Sequence, residues 1–418
     1  MKEKKAVCEL LEGERLKRLY ANTFYSLTDR IGPFGYIEES FVPGRYPGCF
    51  IRSAGAYVFL MEENGYPALA QRALRFVLDT LKREGLSRCP HVIGDIHVEE
   101  NGAVRQNLDM VNQLDGTAHI IAAYAYLLQR HADESLYTDY WEMMAQMLTL
   151  HADQPFFFSS AISRFPVVNV DLFLNTSFEH SREERYWCCF DLLTQSFMGA
   201  ALHRMIAVCR QRKLPEKRLA FWQQQLTRLQ SGIERHLTLK ENGEVRYMEM
   251  RLPDSNDGVA FDPMGWVCLS PVAAQWEALS PSVMDSTVKT LRGRLWRESP
   301  SADGTFYLEK DEVSGGADCA ETIGKGIGWD MEYARRQRDF GHIAEVLRFL
   351  RQNHAGDLYG ECMLYKDGAW HVRDCGNAEQ AIWWCWAVAR LRADMGLSAV
   401  PLREDVTHPI TEYRLGTW

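Results

Sequence analysis

The sequence lacks a run of about 18 apolar residues, the length that a membrane-spanning helix needs. Its first residues, Met1–Lys5, are mostly charged and lead into no apolar segment, so we expect no secretory signal peptide. It also lacks a Cys-x-x-Cys pair, which argues against a structural zinc site. These absences predict a cytoplasmic protein without membrane contact, whose eleven cysteines are reduced and act as small hydrophobic residues.

No basic stripe offsets the formal net charge of −9, because lysines and arginines are scattered among acidic residues, as in Lys82-Arg83-Glu84. Nucleic acid would repel such a surface, so we expect no nucleic-acid partner. No Ser-, Gly- or Pro-rich linker divides the 418 residues, and a hydrophobic content of 46% is sufficient for a large core. We therefore predict a single domain over residues 1–418, while the sequence carries no signal for an oligomeric state.

A recurring pattern is present: a helix of roughly 15–22 residues, then a short polar break, then another helix. In residues 67–85, Pro67 suits the first helical turn, Gly85 suits the end, and Leu74 and Leu78 share one face. Similar segments are predicted at 8–29, 48–64, 115–131, 134–151, 190–212, 215–238, 262–279, 281–297, 328–339, 341–354 and 377–395.

These helices are of two kinds. Residues 117–128 are apolar nearly all round and residues 377–395 are rich in tryptophan and alanine, as in buried helices, whereas 215–238 has a polar face. The alternation predicts an all-α protein with two concentric layers. A solenoid of helical pairs would show the same alternation, but no residue signature repeats along the chain, so we favour a closed (α/α)6 barrel of six helical hairpins. Asn-Gly within 237–247 and Asp-Gly within 363–372 predict small β-hairpins in the loops.

Four loop-to-helix junctions concentrate acidic and aromatic residues, at 43–53, 112–116, 175–187 and 358–380. Long irregular stretches in a compact domain commonly carry function. Each junction also has a structural interpretation. Asp115 could cap its helix, Glu379 could complement a helix N-terminus, and residues 182–185 could be a solvated charge run. The isolated His119 and His180 do not indicate a metal site.

The order and spacing of these junctions resemble the six-hairpin glycosidases, particularly the glucoamylase-like glycoside hydrolase family 15. In that family an Arg-Asp pair near the start of the barrel holds the non-reducing sugar, and a Gln-x-Asp-Gly motif enters an inner helix. Arg52 matches the arginine, but Ser53 stands where the aspartate is expected. Gln113 and Asp115 match the second motif.

The same resemblance implies the two catalytic carboxyl groups. The family's Trp-Glu-x-Arg carries the general acid, and Glu183-Glu184-Arg185 fits its outline, although an arginine replaces the tryptophan. Glu179, which follows Phe178, therefore remains a rival acid. The family's Leu-x-x-Glu carries the general base and matches Leu358 to Glu361.

The resemblance implies a glycosidase that inverts the anomeric carbon of an oligosaccharide or small glycoside, with Glu183 or Glu179 as acid and Glu361 as base. Such hydrolysis needs two carboxyl groups in different protonation states, and no cofactor or metal is expected. The residues that we expect to contact the sugar are Arg52, Gln113, Asp115, Glu379 and Gln380, with Trp187, Trp329 and Trp383 as stacking faces.

Three other functions fit the same toroid. A sugar epimerase or isomerase usually relies on paired histidines, and the twelve histidines here do not lie at the corresponding junctions. A polysaccharide lyase needs a Tyr or His base and a basic channel, which the acidic balance disfavours. A non-catalytic carbohydrate-binding toroid would not need Glu361 to face Glu183 or Glu179 across one cavity.

Overall fold

The structure is a computed structural model. It describes residues 2–32, 34–41, 45–46, 48–84, 95–98, 104–107, 114–131, 134–153, 171–175, 189–214, 216–252, 259–276, 278–313 and 320–408. The helices of this part of the chain are α1 (Lys2–Glu12), α2 (Glu14–Arg30), α3 (Ile51–Glu63), α4 (Pro67–Glu84), α5 (Leu114–Arg130), α6 (Glu134–Asp153), α7 (Leu192–Arg212), α8 (Glu216–His236), α9 (Ser270–Ala274), α10 (Pro281–Leu295), α11 (Gly324–Gln337), α12 (Phe340–Asn353) and α13 (Ala378–Asp394).

Six of these helices form a closed inner ring. In chain order α3, α5, α7, α9, α11 and α13 each pack against the next, and α13 packs back against α3. Helices α4, α6, α8, α10 and α12 follow the first five inner helices and lie outside them, and α2 covers α13. This is the predicted all-α (α/α)6 barrel, and the prediction is confirmed.

The composition of each layer explains its position. Helix α5 is buried over its whole length from Leu114 to Leu128, and α13 buries three tryptophans along the same ring. The outer α4 begins at Pro67 and buries only one face, including Leu74 and Leu78. Within the described residues, no helix is both long and apolar enough to cross a bilayer.

One inner helix is shorter than its sequence suggests. The predicted helix 262–279 is instead a 3-10 turn at Trp266–Leu269 followed by α9. Pro271 lacks an N–H and so starts a new helix, and Gln275 ends it in the left-handed region at a φ of 53°. The predicted helix 8–29 is also divided, at Gly13, into α1 and α2.

The strands lie in small antiparallel sheets between the helices, as predicted. The described strands are β1 (Cys49–Phe50), β2 (Asp95–Val98), β3 (Val104–Asn107), β4 (Phe190–Asp191), β5 (Thr238–Glu241), β6 (Glu244–Tyr247), β7 (Met250–Leu252), β8 (Val259–Phe261), β9 (Trp296–Glu298), β10 (Phe306–Leu308), β11 (Glu321–Ile323), β12 (Gly360–Lys366) and β13 (Ala369–Cys375). The two predicted hairpins are β5–β6 and β12–β13, and they turn at Asn242-Gly243 and Asp367-Gly368, all four with positive φ.

Glycine allows the inner helices to approach closely. A Cβ on Gly328 of α11 would lie 2.8 Å from the backbone oxygen of Trp383 in α13. A Cβ on Gly55 of α3 would lie 2.9 Å from the backbone carbon of His119 in α5. Larger side chains at these positions would force the ring apart.

At the end of the ring where the inner helices finish, one arginine bridges several of them. Arg390 of α13 donates to Glu63 at the end of α3 (2.7 Å), to Glu332 of α11 (2.9 Å) and to Gln275 at the end of α9 (2.7 Å). The Glu332 side chain is fully buried, and Arg335 also binds it. One guanidinium therefore ties together four of the six inner helices at this end.

Candidate active site

The opposite end of the ring gathers the residues that the sequence singled out. Arg52 lies in the first turn of α3, Asp115 in the first turn of α5, and Glu379 and Gln380 in the first turn of α13. Lys325 lies in the first turn of α11. All five belong to inner helices, so the ring itself brings them to one end.

A buried ion cluster lies at this end. The Glu379 carboxylate accepts from Arg52 Nε (3.1 Å) and from Lys325 Nζ (3.0 Å), with the Lys325 side chain fully buried. Lys325 Nζ also lies 4.2 Å from the centre of the Trp266 ring. Burial alone would raise the pKa of Glu379, but the charges of Lys325 and Arg52 outweigh it and hold that pKa well below its usual range.

A second carboxyl group lies beside this cluster. Glu39 is 4% exposed, and its Oε1 accepts from the backbone N–H of Glu379 (3.1 Å). Burial, followed by repulsion from the Glu379 charge, raises the pKa of Glu39 to about 7. The buried Ser53 beside this carboxyl group lowers the pKa of Glu39 and offsets only part of that increase. The pair therefore holds one negative charge on Glu379, while the proton resides on Glu39 below neutral pH.

Gln380 fixes the start of two inner helices relative to each other. Its Oε1 accepts from the backbone N–H of Lys325 (2.6 Å), and its own N–H donates to the Asn377 side chain (3.2 Å), which caps α13. The amide oxygen of Gln380 is thus bound by the protein, and contact of this side chain with a sugar stays a prediction.

Glu361 lies near the start of β12 at the same end of the ring. Its Oε1 accepts from the hydroxyl of Tyr46 (2.7 Å), and its Oε2 accepts from Arg45 Nη2 (2.7 Å). Arg373 Nη2 lies 3.8 Å from Oε2. The carboxylate is 19% exposed, so it is held by three side chains and still reaches solvent. Burial, and then hydrogen bonding to Glu361, raises the pKa of Tyr46, which therefore remains a donor.

Asp374 lies across from Glu361 in the β12–β13 pair. Gly360 pairs with Cys375 and Cys362 with Arg373, so the register places Glu361 opposite Asp374. The Asp374 side chain is fully buried and accepts from Asn377 Nδ2 (3.0 Å) and from the hydroxyl of Ser40. Burial is the main cause that raises the pKa of Asp374, and the nearby Glu361 charge adds to it.

Two expected stacking faces are wrong. Trp329 and Trp383 are 1% and 0% exposed, and their rings contact each other edge to face at 5.6 Å. A sugar needs an open ring face, and both rings are covered, so these residues are core. His119 stacks on Phe197 at 3.5 Å, and burial lowers the pKa of His119 to about 3, which leaves it neutral.

Several sequence-based assignments lie outside the described residues: Gln113, Glu179, Glu183 and Trp187. The structure describes residues 171–175 and 189–214, which lie on either side of Glu179, Glu183 and Trp187. Asn175 donates to Thr194 (3.0 Å), and Gln195 bonds both backbone groups of Phe173, at 2.8 Å each. The described residues just before this part of the chain are therefore bound to the start of α7, which follows it.

The structure adds residues that sequence reasoning did not assign: Glu39, Arg45, Tyr46, Lys325 and Asp374. Arg45 and Tyr46 lie in the first junction and Asp374 lies in the fourth, so the sequence already placed them near candidate site residues. No local pattern marked Glu39 or Lys325, because both contact Glu379, which is distant from them in the sequence.

The arrangement combines a partly exposed carboxyl group at Glu361 with a cluster of buried charged side chains at Arg52, Lys325 and Glu379. Charged and hydrogen-bonding groups suit a ligand with many hydroxyl groups. Within the described residues, no group of three His, Cys, Asp or Glu side chains lies close enough to hold a metal ion.

A closed ring of six helical hairpins with a polar end is the fold of the six-hairpin glycosidases, and comparison with solved structures confirms that resemblance. A wild-type glycosidase superposes with a TM-score of 0.63 and 13% identity, covering 93% of this chain and 100% of its own. A metal-independent α-mannosidase from Streptococcus pneumoniae, in a non-productive complex with α-1,6-mannobiose, gives 0.64 and 12%, covering 93% and 97%. A bacterial glucoamylase bound to acarbose gives 0.61 and 14%, covering 93% and 56%. No protein-family model and no curated protein matches the sequence.

Proposed function

We propose that this protein is a glycoside hydrolase that cleaves an oligosaccharide or a small glycoside with inversion, using Glu361 as the general base. The observation that carries the proposal is the setting of Glu361. Its carboxylate is held by Tyr46 and Arg45, remains partly exposed, and lies at the end of the ring that holds the cluster of buried charged side chains.

The chemistry follows from that setting. A general base must be oriented toward the water that it activates. The Tyr46 hydroxyl and Arg45 each bind one oxygen, which fixes the plane of the carboxylate. Glu183 is proposed as the acid, with Glu179 as its rival, about 6.5–9.5 Å from Glu361 as inversion requires. Arg52 and Asp115 are proposed as contacts for the sugar hydroxyls.

The first experiment measures hydrolysis of chromogenic glycosides by the wild type and by Glu361→Gln. The panel starts with α-glucosides and α-mannosides, because structural neighbours include a glucoamylase and an α-mannosidase. We expect Glu361→Gln to lose at least about 10²-fold in kcat with an unchanged melting temperature. Glu244→Gln is the matched control, since Glu244 also lies on a hairpin strand and pairs with a cation, Lys289. Full activity in Glu361→Gln would exclude it as the base.

The acid is identified by Glu179→Gln and Glu183→Gln, compared on substrates with good and poor leaving groups. A good leaving group departs without a proton, so the variant that lacks the acid should keep activity on that substrate and lose it on the other. The anomer of the first product, seen by proton NMR, tests inversion. A retained configuration would contradict the assignment of Glu361 as a base that activates water.

A further inference from the structure

A single arginine lies between two carboxylates on the hairpin that carries Glu361. Arg45 Nη2 donates to Glu361 Oε2 at 2.7 Å, and Arg45 Nε lies 3.9 Å from Asp374 Oδ2. Arg45 Nε is buried and has no hydrogen-bond partner among the described residues. Its charge is therefore shared between a partly exposed carboxylate and a fully buried one.

Asp374 is held rigidly on its own side of Arg45. Its backbone has a φ of 46°, in the left-handed region, where aspartate and asparagine are tolerated better than most residues. Its two oxygens accept from the Ser40 hydroxyl and from Asn377 Nδ2, so neither oxygen can turn away. Ser40 and Arg45 belong to the same segment before α3. Asp374 thus binds this segment at two points, through a hydrogen bond and through a charge.

We propose that Asp374 is a positioning residue for Glu361 and acts through Arg45. Asp374 fixes the guanidinium so that its Nη2 faces Glu361, and the neighbouring Tyr46 is carried into place on the other oxygen. The base is then oriented by a segment that is itself anchored to the opposite strand of the same hairpin. This inference rests on the proposed function, because it takes Glu361 as the base.

Asp374→Asn removes the charge and also replaces the oxygen that accepts from Asn377 Nδ2 with an amide nitrogen. Asparagine keeps the shape, tolerates the positive φ and still offers an oxygen to Ser40. We expect kcat to fall about tenfold, the size of losing one charge-assisted contact, while KM changes by less than about twofold. Asp367→Asn is the matched control, because Asp367 lies at the turn of the same hairpin, is exposed, and has a φ of 53°. It should leave kcat unchanged.

The route through Arg45 is tested by a double-mutant cycle. If Asp374 acts through the guanidinium, Asp374→Asn should have no further effect on kcat in an Arg45→Met background. An equal tenfold loss in both backgrounds would mean that Asp374 acts independently of Arg45 and would overturn the proposal. An unchanged kcat in the single variant would overturn it as well.

If Asp374→Asn does not fold, Ser40→Ala decides the question, because Ser40 fixes one oxygen of Asp374. We expect Ser40→Ala to lower kcat severalfold with KM unchanged, and to have no effect beside Arg45→Met; an unchanged kcat overturns the proposal. Failure here differs from failure of the proposed function. An inactive Glu361→Gln with a fully active Asp374→Asn removes only the role of Asp374, whereas an active Glu361→Gln removes both.

Discussion

The buried carboxyl group of Glu39 should make the stability of this protein depend on pH near neutrality. Its pKa is about 7 in the folded protein, against a usual value of 4.5. The folded state therefore binds this proton more tightly than the unfolded chain. The stability linked to the proton is fully present below about pH 4.5 and is lost as pH rises through about 7.

The size of the effect follows from the shift. At 1.36 kcal/mol per pKa unit, a rise of about 2.5 units corresponds to about 3 kcal/mol. Glu39→Gln carries no proton to lose, and its amide oxygen can still accept from the Glu379 N–H. We expect the free energy of unfolding of Glu39→Gln, relative to wild type, to increase with pH and to level off above about pH 8 at roughly 3 kcal/mol.

Urea unfolding followed by tryptophan fluorescence, at several values between about pH 5 and pH 9, measures this difference. Groups that titrate in both proteins cancel, so the comparison isolates Glu39. Glu298→Gln, at an exposed position on β9, is the control for replacing a glutamate by glutamine. A constant difference between Glu39→Gln and wild type would refute the reasoning, because Glu39 would then be ionised in the folded protein throughout.

Two further predictions concern the ring. Gly328→Ala should destabilise the protein by about 1–3 kcal/mol, since its Cβ would meet the backbone oxygen of Trp383 at 2.8 Å. Gly293→Ala on the outer α10 is the control: its Cβ would meet nothing within 4 Å, so the substitution should stabilise the protein by about 0.5–1 kcal/mol. Equal changes in the free energy of unfolding for the two variants, measured in urea, would contradict the close packing of the inner helices. Arg390→Met should cost about 1–3 kcal/mol of stability, because Glu332 loses one charged partner but keeps Arg335 and Arg336, while KM stays the same. A changed KM with unchanged stability would show that this end communicates with the site.

The fold was predictable because its signal is local and repeated. A helix buried on all sides, such as α5, reads as apolar on every face, and an outer helix such as α4 shows one apolar stripe. The Asn-Gly and Asp-Gly turns identified both hairpins. The prediction was wrong at α9, where an apolar run hid the break at Pro271. Hydrophobicity alone does not distinguish one long buried helix from a turn and a short helix.

The site was predictable only where a motif marked it. Short motifs fixed the registers of Arg52 and Glu361, and both lie at the same end of the ring. Glu39 and Lys325 carried no local pattern, because their significance comes from contact with Glu379 across 340 and 54 residues of chain. The tryptophans were misassigned because the same residue type serves as a sugar platform and as core. Only burial separates those two uses.

The contacts of Arg390 bear on how a ligand enters and leaves the barrel. The interior holds Trp329, Trp383 and Trp386, all buried, and the far end is bridged by Arg390 between four inner helices. Among the described residues, buried side chains fill the axis between the two ends, so for the proposed function we expect a bound sugar to enter and leave at the end that holds Glu361. For the proposed hydrolase, the released sugar and the next substrate would then bind at the same end of the ring, and the product should act as a competitive inhibitor.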